Sequence, residues 1–131
     1  MSVAKNEGPR VVIYALPGAF SLDVLGAYEV FHGAARTLAL RNEQNLVNPT
    51  DLAHLAGREL AYHVQLVAAD PGPVESWSGT PLFAVDAIQN VQGPVDTLIV
   101  AGGDIARMLG TISARPELRT ALKDVALRSR R

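Results

Sequence analysis

Six consecutive apolar residues, Val11-Val12-Ile13-Tyr14-Ala15-Leu16, run straight into Pro17-Gly18. Half of them are β-branched, and so short a run closed by a turn pair reads as a strand. With no polar alternation it offers neither face to water. A chain that contains such a strand must build layers on both sides of it, as parallel sheets require.

The rest of the pattern supplies those layers. Ser21 can cap a helix with Asp23 in its first turn and Val24, Ala27, Tyr28, Phe31, Ala35 and Leu38 at helical spacing, ending before Asn42. Leu22, Leu25, Gly26, Val30 and Gly33 make its opposite side apolar too, so one side is expected to face a second subunit. Tyr62 to Ala69 is the second strand, stopped by Asp70-Pro71-Gly72-Pro73. Val74 to Ser78 and Thr80 to Val85 flank Gly79 as a small hairpin or a meander expected at the sheet edge. Asp96 to Ala101 is the third strand, and Gly102-Gly103 lead directly into a helical pattern at Asp104 to Leu109. A final helix opens at Pro116, with Arg128, Arg130 and Arg131 closing it where the macrodipole favours positive charge. Strands alternating with helices predict an α/β fold, a mostly parallel sheet with helices on both faces.

Length and charge narrow the function classes. At 131 residues the chain makes one domain, 1–131, with a polar insertion at about 41–58 that carries a possible short helix opening at Thr50 or Asp51. Twelve basic residues against thirteen acidic ones leave nothing to draw this segment to nucleic acid or anionic lipid. The absence of cysteine excludes a disulfide framework, a zinc–thiolate site and a thiol nucleophile within the chain. No apolar run is long enough to span a bilayer and Met1 to Arg10 lacks a signal-peptide pattern, so a cytoplasmic setting without membrane contact is expected.

In an open α/β sheet the chemistry sits beyond the carboxyl ends of the strands, which points to Pro17 and Gly18 after the first strand and to Gly102, Gly103 and Asp104 after the third. Two glycines before a helix let backbone N–H groups approach an anion or oxyanion, although a Gly pair by itself is more often only a tight turn. Asp23, on the same edge, can orient a nucleophile or bond a substrate, or simply complement the helix dipole. His32, His54 and His63 show no metal-ligand spacing and Trp77 is a lone aromatic, so none is given a role. No metal or cofactor is implied.

The stretch Leu16-Pro17-Gly18-Ala19-Phe20-Ser21-Leu22-Asp23-Val24-Leu25-Gly26-Ala27-Tyr28-Glu29-Val30-Phe31, taken with Asp96 to Gly103, resembles the ThiJ/PfpI, or class I glutamine amidotransferase-like, superfamily. Pro116-Glu117-Leu118-Arg119 and the closing Arg130-Arg131 look most like the N-terminal sensor domain of AraC-type transcriptional regulators. The resemblance implies a flavodoxin-like sheet. It also implies that a further strand ending in a cysteine elbow, and then a helix-turn-helix domain, belong after Arg131, so that the C-terminal part of the domain is missing here. By the same resemblance Asp23 matches the acidic residue facing that cysteine, and Gly102-Gly103 the backbone lining the pocket.

The expected function is therefore a non-catalytic ligand-sensing and dimerising domain, with a small-molecule effector, a homodimeric state, and DNA reached only through a C-terminal domain. The alternatives are the N-terminal fragment of a cysteine hydrolase or isonitrile-hydratase-like enzyme, and a short form that pairs with another copy to complete its sheet.

Overall fold

A computed structural model describes residues 9–42 and 62–131. Of the insertion expected at about 41–58, only residues 41 and 42 are described, as the end of the first helix. The short helix expected at Thr50 or Asp51, and His54, lie outside the described residues.

The apolar run forms β1 (Arg10–Tyr14) and occupies the interior of a four-stranded sheet. Its neighbours are β2 (His63–Ala68) on one side and β6 (Thr97–Val100) on the other, both parallel to it. The two-residue β5 (Asp86–Ala87) completes the order β5-β2-β1-β6, again in parallel. Val12, Ile13 and Tyr14 are wholly buried, as a strand with two covered faces must be.

One face is covered by α1 (Ser21–Asn42) and by a hairpin of β3 (Gly72–Glu75) and β4 (Pro81–Ala84). Val11, Ile13, Ala15 and Leu66 point to this side and pack with Val24 and with Val74, Leu82 and Ala84. The other face is covered by α2 (Ile105–Ala114) and α3 (Pro116–Arg128), where Val12, Tyr14, Leu16 and Val67 meet Met108, Leu118 and Val125. The parity of β1 thus divides between two cores, which is why the sequence shows no alternation.

Several expectations are corrected. The hairpin is not an edge of the main sheet: it is a separate two-stranded sheet laid over one face, and it begins at Gly72-Pro73, residues read as part of the turn. A two-stranded sheet leaves Pro73 free of a ladder bond, so proline is accommodated. Ser21 is the first helical residue and not a cap; the helix is entered from Phe20, whose N–H donates to the Gly102 carbonyl at 2.8 Å. β5 and the short 3-10 turn Ile88–Asn90 after it were not expected.

The arginines at the end of the chain also do different work. Arg128 closes α3 as expected, but its guanidinium also donates to the Val91 and Gly93 carbonyls. Arg130 and Arg131 have left the helix. They run extended beside β6, with Arg130 paired to Asp96 at 2.9 Å.

Candidate functional site

The three segments expected to form a pocket meet at the carboxyl edge of the sheet. After β1 the chain turns at Pro17-Gly18, where Gly18 takes φ +90°, a conformation that favours glycine. The following residues are stitched to the segment after β6 by two bonds: Phe20 N–H to the Gly102 carbonyl, and Asp104 N–H to the Gly18 carbonyl at 3.0 Å. Ala19 and Gly103 face each other between those bonds. A β-carbon on Gly103 would lie 2.3 Å from the Gly18 oxygen, so the crossing of the two loops exists only because that side chain is missing.

Asp23 reaches the same junction from the first turn of α1. Its Oδ2 lies 3.1 Å from where a β-carbon on Gly102 would stand, and the carboxylate has no hydrogen-bond or ion-pair partner among the described residues. No described residue accepts a bond from the N–H of Gly102 or of Gly103. An acceptor group and two uncommitted donors therefore share one small area.

Asp104 has a definite task. Its side chain accepts from Arg107 N–H at 3.1 Å, capping α2. One of the first-turn donors of α2 is thereby engaged, and the N–H groups of Gly102 and Gly103 lie just ahead of that turn. Pro17 lies beside Gly18 in the turn and is partly buried.

The third wall was not anticipated. The β3–β4 hairpin reaches over the β1 turn, with Gly18 N–H donating to the Glu75 carbonyl at 2.9 Å and Trp77 N–H to the Ala19 carbonyl at 2.9 Å. Arg107 pairs with Glu75 at 3.2 Å and lies against Gly18. Phe20 and Trp77 meet edge to face, ring centroids 5.6 Å apart, and both remain substantially exposed. Nothing in the spacing of Glu75, Trp77 and Arg107 reveals this meeting, because the hairpin's position over the sheet is a long-range fact. His32 stacks on Tyr28 within α1 and His63 opens β2, both away from the junction.

Tyr14 ends β1 on the face of α2 and α3. Its hydroxyl is buried with no partner among the described residues, and burial pushes its pKa up to about 12 despite the nearby Arg115. Arg115, between α2 and α3, forks onto Asp70 at 2.6 and 3.2 Å and also holds Glu117 at 2.9 Å. These bonds draw both carboxyls below the usual range. A cavity of about 300 Å3 lies elsewhere, at the amino ends of β1 and β6, between Phe31, Tyr62 and Arg131. Among the described residues no group of His, Asp or Glu could hold a metal ion.

A parallel sheet wrapped on both faces, with its loop junction at the carboxyl edge, is an arrangement shared with solved proteins. The chain is similar to a ThiJ/PfpI family protein from Pseudomonas syringae, with TM-score 0.65 and 13% identity, over 99% of this chain and 46% of that one. It is also similar to a "putative transcriptional regulator protein" from Vibrio parahaemolyticus, with TM-score 0.59 and 19% identity, over 92% and 52% of the two chains. An AraC family transcriptional regulator from Pseudomonas putida aligns at TM-score 0.46 and 18% identity, over 82% and 60%, too distant to support an argument. No protein-family model matches the sequence, and no curated protein does. The fold is that of the ThiJ/PfpI proteins, and the chain spans about half the length of the first two structures it matches. No helix among the described residues is long and apolar enough to cross a membrane.

Proposed function

We propose that the chain is the ligand-sensing and dimerising part of a cytoplasmic AraC-type transcriptional regulator, with its effector pocket around Asp23, Pro17, Gly18, Gly102, Gly103 and Asp104. The observation that carries this is the junction at the carboxyl edge, where a carboxylate and two backbone N–H groups that have no partner among the described residues converge in a chain that has no thiol to attack what they hold. Such a site binds and orients; it supplies no nucleophile backed by a base. DNA would be contacted through a separate C-terminal domain. The fold likeness to the Vibrio protein is consistent with this reading and does not decide it.

Self-association would use the outer side of α1. Leu22 is 80% exposed and Val30 70%, and Gly26 and Gly33 have open space where a side chain would be. A dimer through this face has an unfolding midpoint that rises with protein concentration, and Val30→Arg removes the rise. The effector reading is tested by a thermal-shift screen of small polar metabolites against the purified chain. Compounds that stabilise the parent chain and not Asp23→Asn support it; stabilisation indifferent to Asp23 removes the pocket from this junction.

The likeness to the Pseudomonas syringae protein keeps a second reading open, the amino-terminal half of a ThiJ/PfpI-type cysteine enzyme. The encoding DNA beyond the Arg131 codon separates the two. A cysteine elbow followed by helix-turn-helix coding sequence supports the regulator, and an elbow followed by a stop supports the enzyme.

A further inference from the structure

The starts of the strands carry a second concavity, on the opposite edge of the sheet from the glycine junction. Three backbone bonds tie them together: His63 N–H to the Pro9 carbonyl at 3.0 Å, Asp96 N–H to the Arg10 carbonyl at 2.9 Å, and Arg131 N–H to the Asp96 carbonyl at 2.9 Å. Against this frame lies the cavity of about 300 Å3. That volume falls at the small end of the roughly 300–1,000 Å3 occupied by small-molecule sites.

Its wall divides into an apolar side and a charged rim. Val11 of β1, Phe31 of α1 and Tyr62 just ahead of β2 make the apolar side. Val11 is buried, and the two aromatic residues are only partly covered where they pack against the α1-side core. The rim is unevenly committed. Both Asp96 oxygens already accept, Oδ2 from the Thr97 hydroxyl at 2.8 Å and Oδ1 from the Arg130 guanidinium at 2.9 Å. Those bonds, the Thr97 one first, hold the Asp96 carboxyl below its ordinary range, so it is an anion at neutral pH. Arg131 differs. Its backbone is fixed at both groups, the N–H on Asp96 and the carbonyl on Leu98 N–H at 2.9 Å, yet its guanidinium has no hydrogen bond or ion pair among the described residues. A fork of donors is thus anchored at its root and unspent at its tip, and it lines the same cavity as two aromatic side chains.

We infer that this cavity is a binding site for an aromatic monocarboxylate, its ring against Phe31 and Tyr62 and its carboxylate on the Arg131 guanidinium. A planar carboxylate matches the guanidinium fork with two parallel bonds, and aromatic contacts add to the area the ring buries. The neighbouring charges select the head group. An ammonium meets Asp96 oxygens that are already engaged, and a dianionic phosphate places its second charge near the Asp96 anion with one unpaired guanidinium to answer it. This site is distinct from the proposed effector junction, which lies beyond the carboxyl ends of the same strands, and neither depends on the other.

The probe is trans-cinnamate, titrated into the purified chain and followed by amide chemical shifts. Saturable binding is expected, with shifts at the Val11 and Thr97 amides and none at Gly102 or Gly103. Arg131→Gln keeps both backbone bonds, so its melting temperature should match the parent's while its affinity falls at least about tenfold, the scale of a lost charge-assisted pair. Neutral cinnamamide should bind the parent chain at least about tenfold more weakly than cinnamate, a comparison that needs no variant to fold. Asp23→Asn should bind cinnamate as the parent does. No saturable binding overturns the inference, as does equal affinity of the parent for cinnamate and cinnamamide, or of the parent and Arg131→Gln for cinnamate. Shifts centred on Gly102-Gly103, or affinity lost in Asp23→Asn, also overturn it, by moving the ligand to the junction.

Discussion

A β-carbon on Gly103 would sit 2.3 Å from the Gly18 oxygen and 2.6 Å from the Ala19 Cα, and both obstacles are backbone. Neither can rotate aside, so Gly103→Ala must part the two loops that build the junction, breaking the Phe20 and Asp104 bonds as it does. We expect a loss of at least about 2 kcal/mol in denaturant unfolding, at the upper end of overpacking costs. Gly102→Ala differs in kind, because among the described residues its only near neighbour is the Asp23 carboxylate at 3.1 Å, the far end of a mobile side chain. It should cost less than about 1 kcal/mol while displacing Asp23, so stability and effector binding separate in this variant. Tyr14→Phe removes a buried hydroxyl that has no partner among the described residues, and is expected to leave stability unchanged or raise it. A loss of more than about 1 kcal/mol in Tyr14→Phe would show that the hydroxyl is bonded after all. In the sequence Gly102-Gly103 could only be read as a turn that tolerates close approach. Which of the two is sterically required depends on a loop more than eighty positions away in the chain, and no local pattern encodes that.

At the level of elements, what could be read is what local chemistry decides. β1, β2 and β6 are short apolar runs bounded by turn residues, and α3 opens at Pro116 as a helix should. Asp104, read as the first residue of the helical pattern, stands just outside the helix and caps it. Asp104→Ala should therefore cost about 1 kcal/mol and Asp104→Asn only a fraction of it, measured by thermal unfolding of the two variants side by side. What could not be read is set by packing between elements. β5 is two residues long and exists because Asp86 and Ala87 pass beside Val67 and Ala68. The hairpin reads correctly as a hairpin, but its seat over the sheet is fixed by Val74, Leu82 and Ala84 meeting the side chains of β1 and α1. The terminal arginines carry the composition of a helix end, yet two of them follow the edge of β6, because hydrogen bonds to Val95 and Asp96 compete with a further turn of helix.

For the molecule as a whole, acid is the condition that discriminates among its parts, because its carboxyl groups clip distant segments together. Asp70, just past β2, and Glu117, in α3, both bond Arg115, and Asp96 bonds Thr97 and Arg130. All three carboxyls are held below their ordinary values, first by those hydrogen bonds. A folded pKa below the unfolded one adds stability that is complete above the unfolded value, near 4, and disappears as pH falls through the folded value. The melting temperature should therefore be level from neutral pH down to about 5 and decline below about 4. Asp70 is largely exposed, so solvent screens its share and added salt should shrink it further. Asp70→Asn is expected to flatten part of the acid decline while lowering the neutral-pH midpoint by no more than a few degrees. The two outcomes have separate meanings: an unchanged acid decline in Asp70→Asn would assign the proton uptake to Glu117 and Asp96. A large loss at neutral pH would instead mean that the Arg115 fork, by fixing the α2–α3 junction over Tyr14, holds the whole second face of the sheet in place.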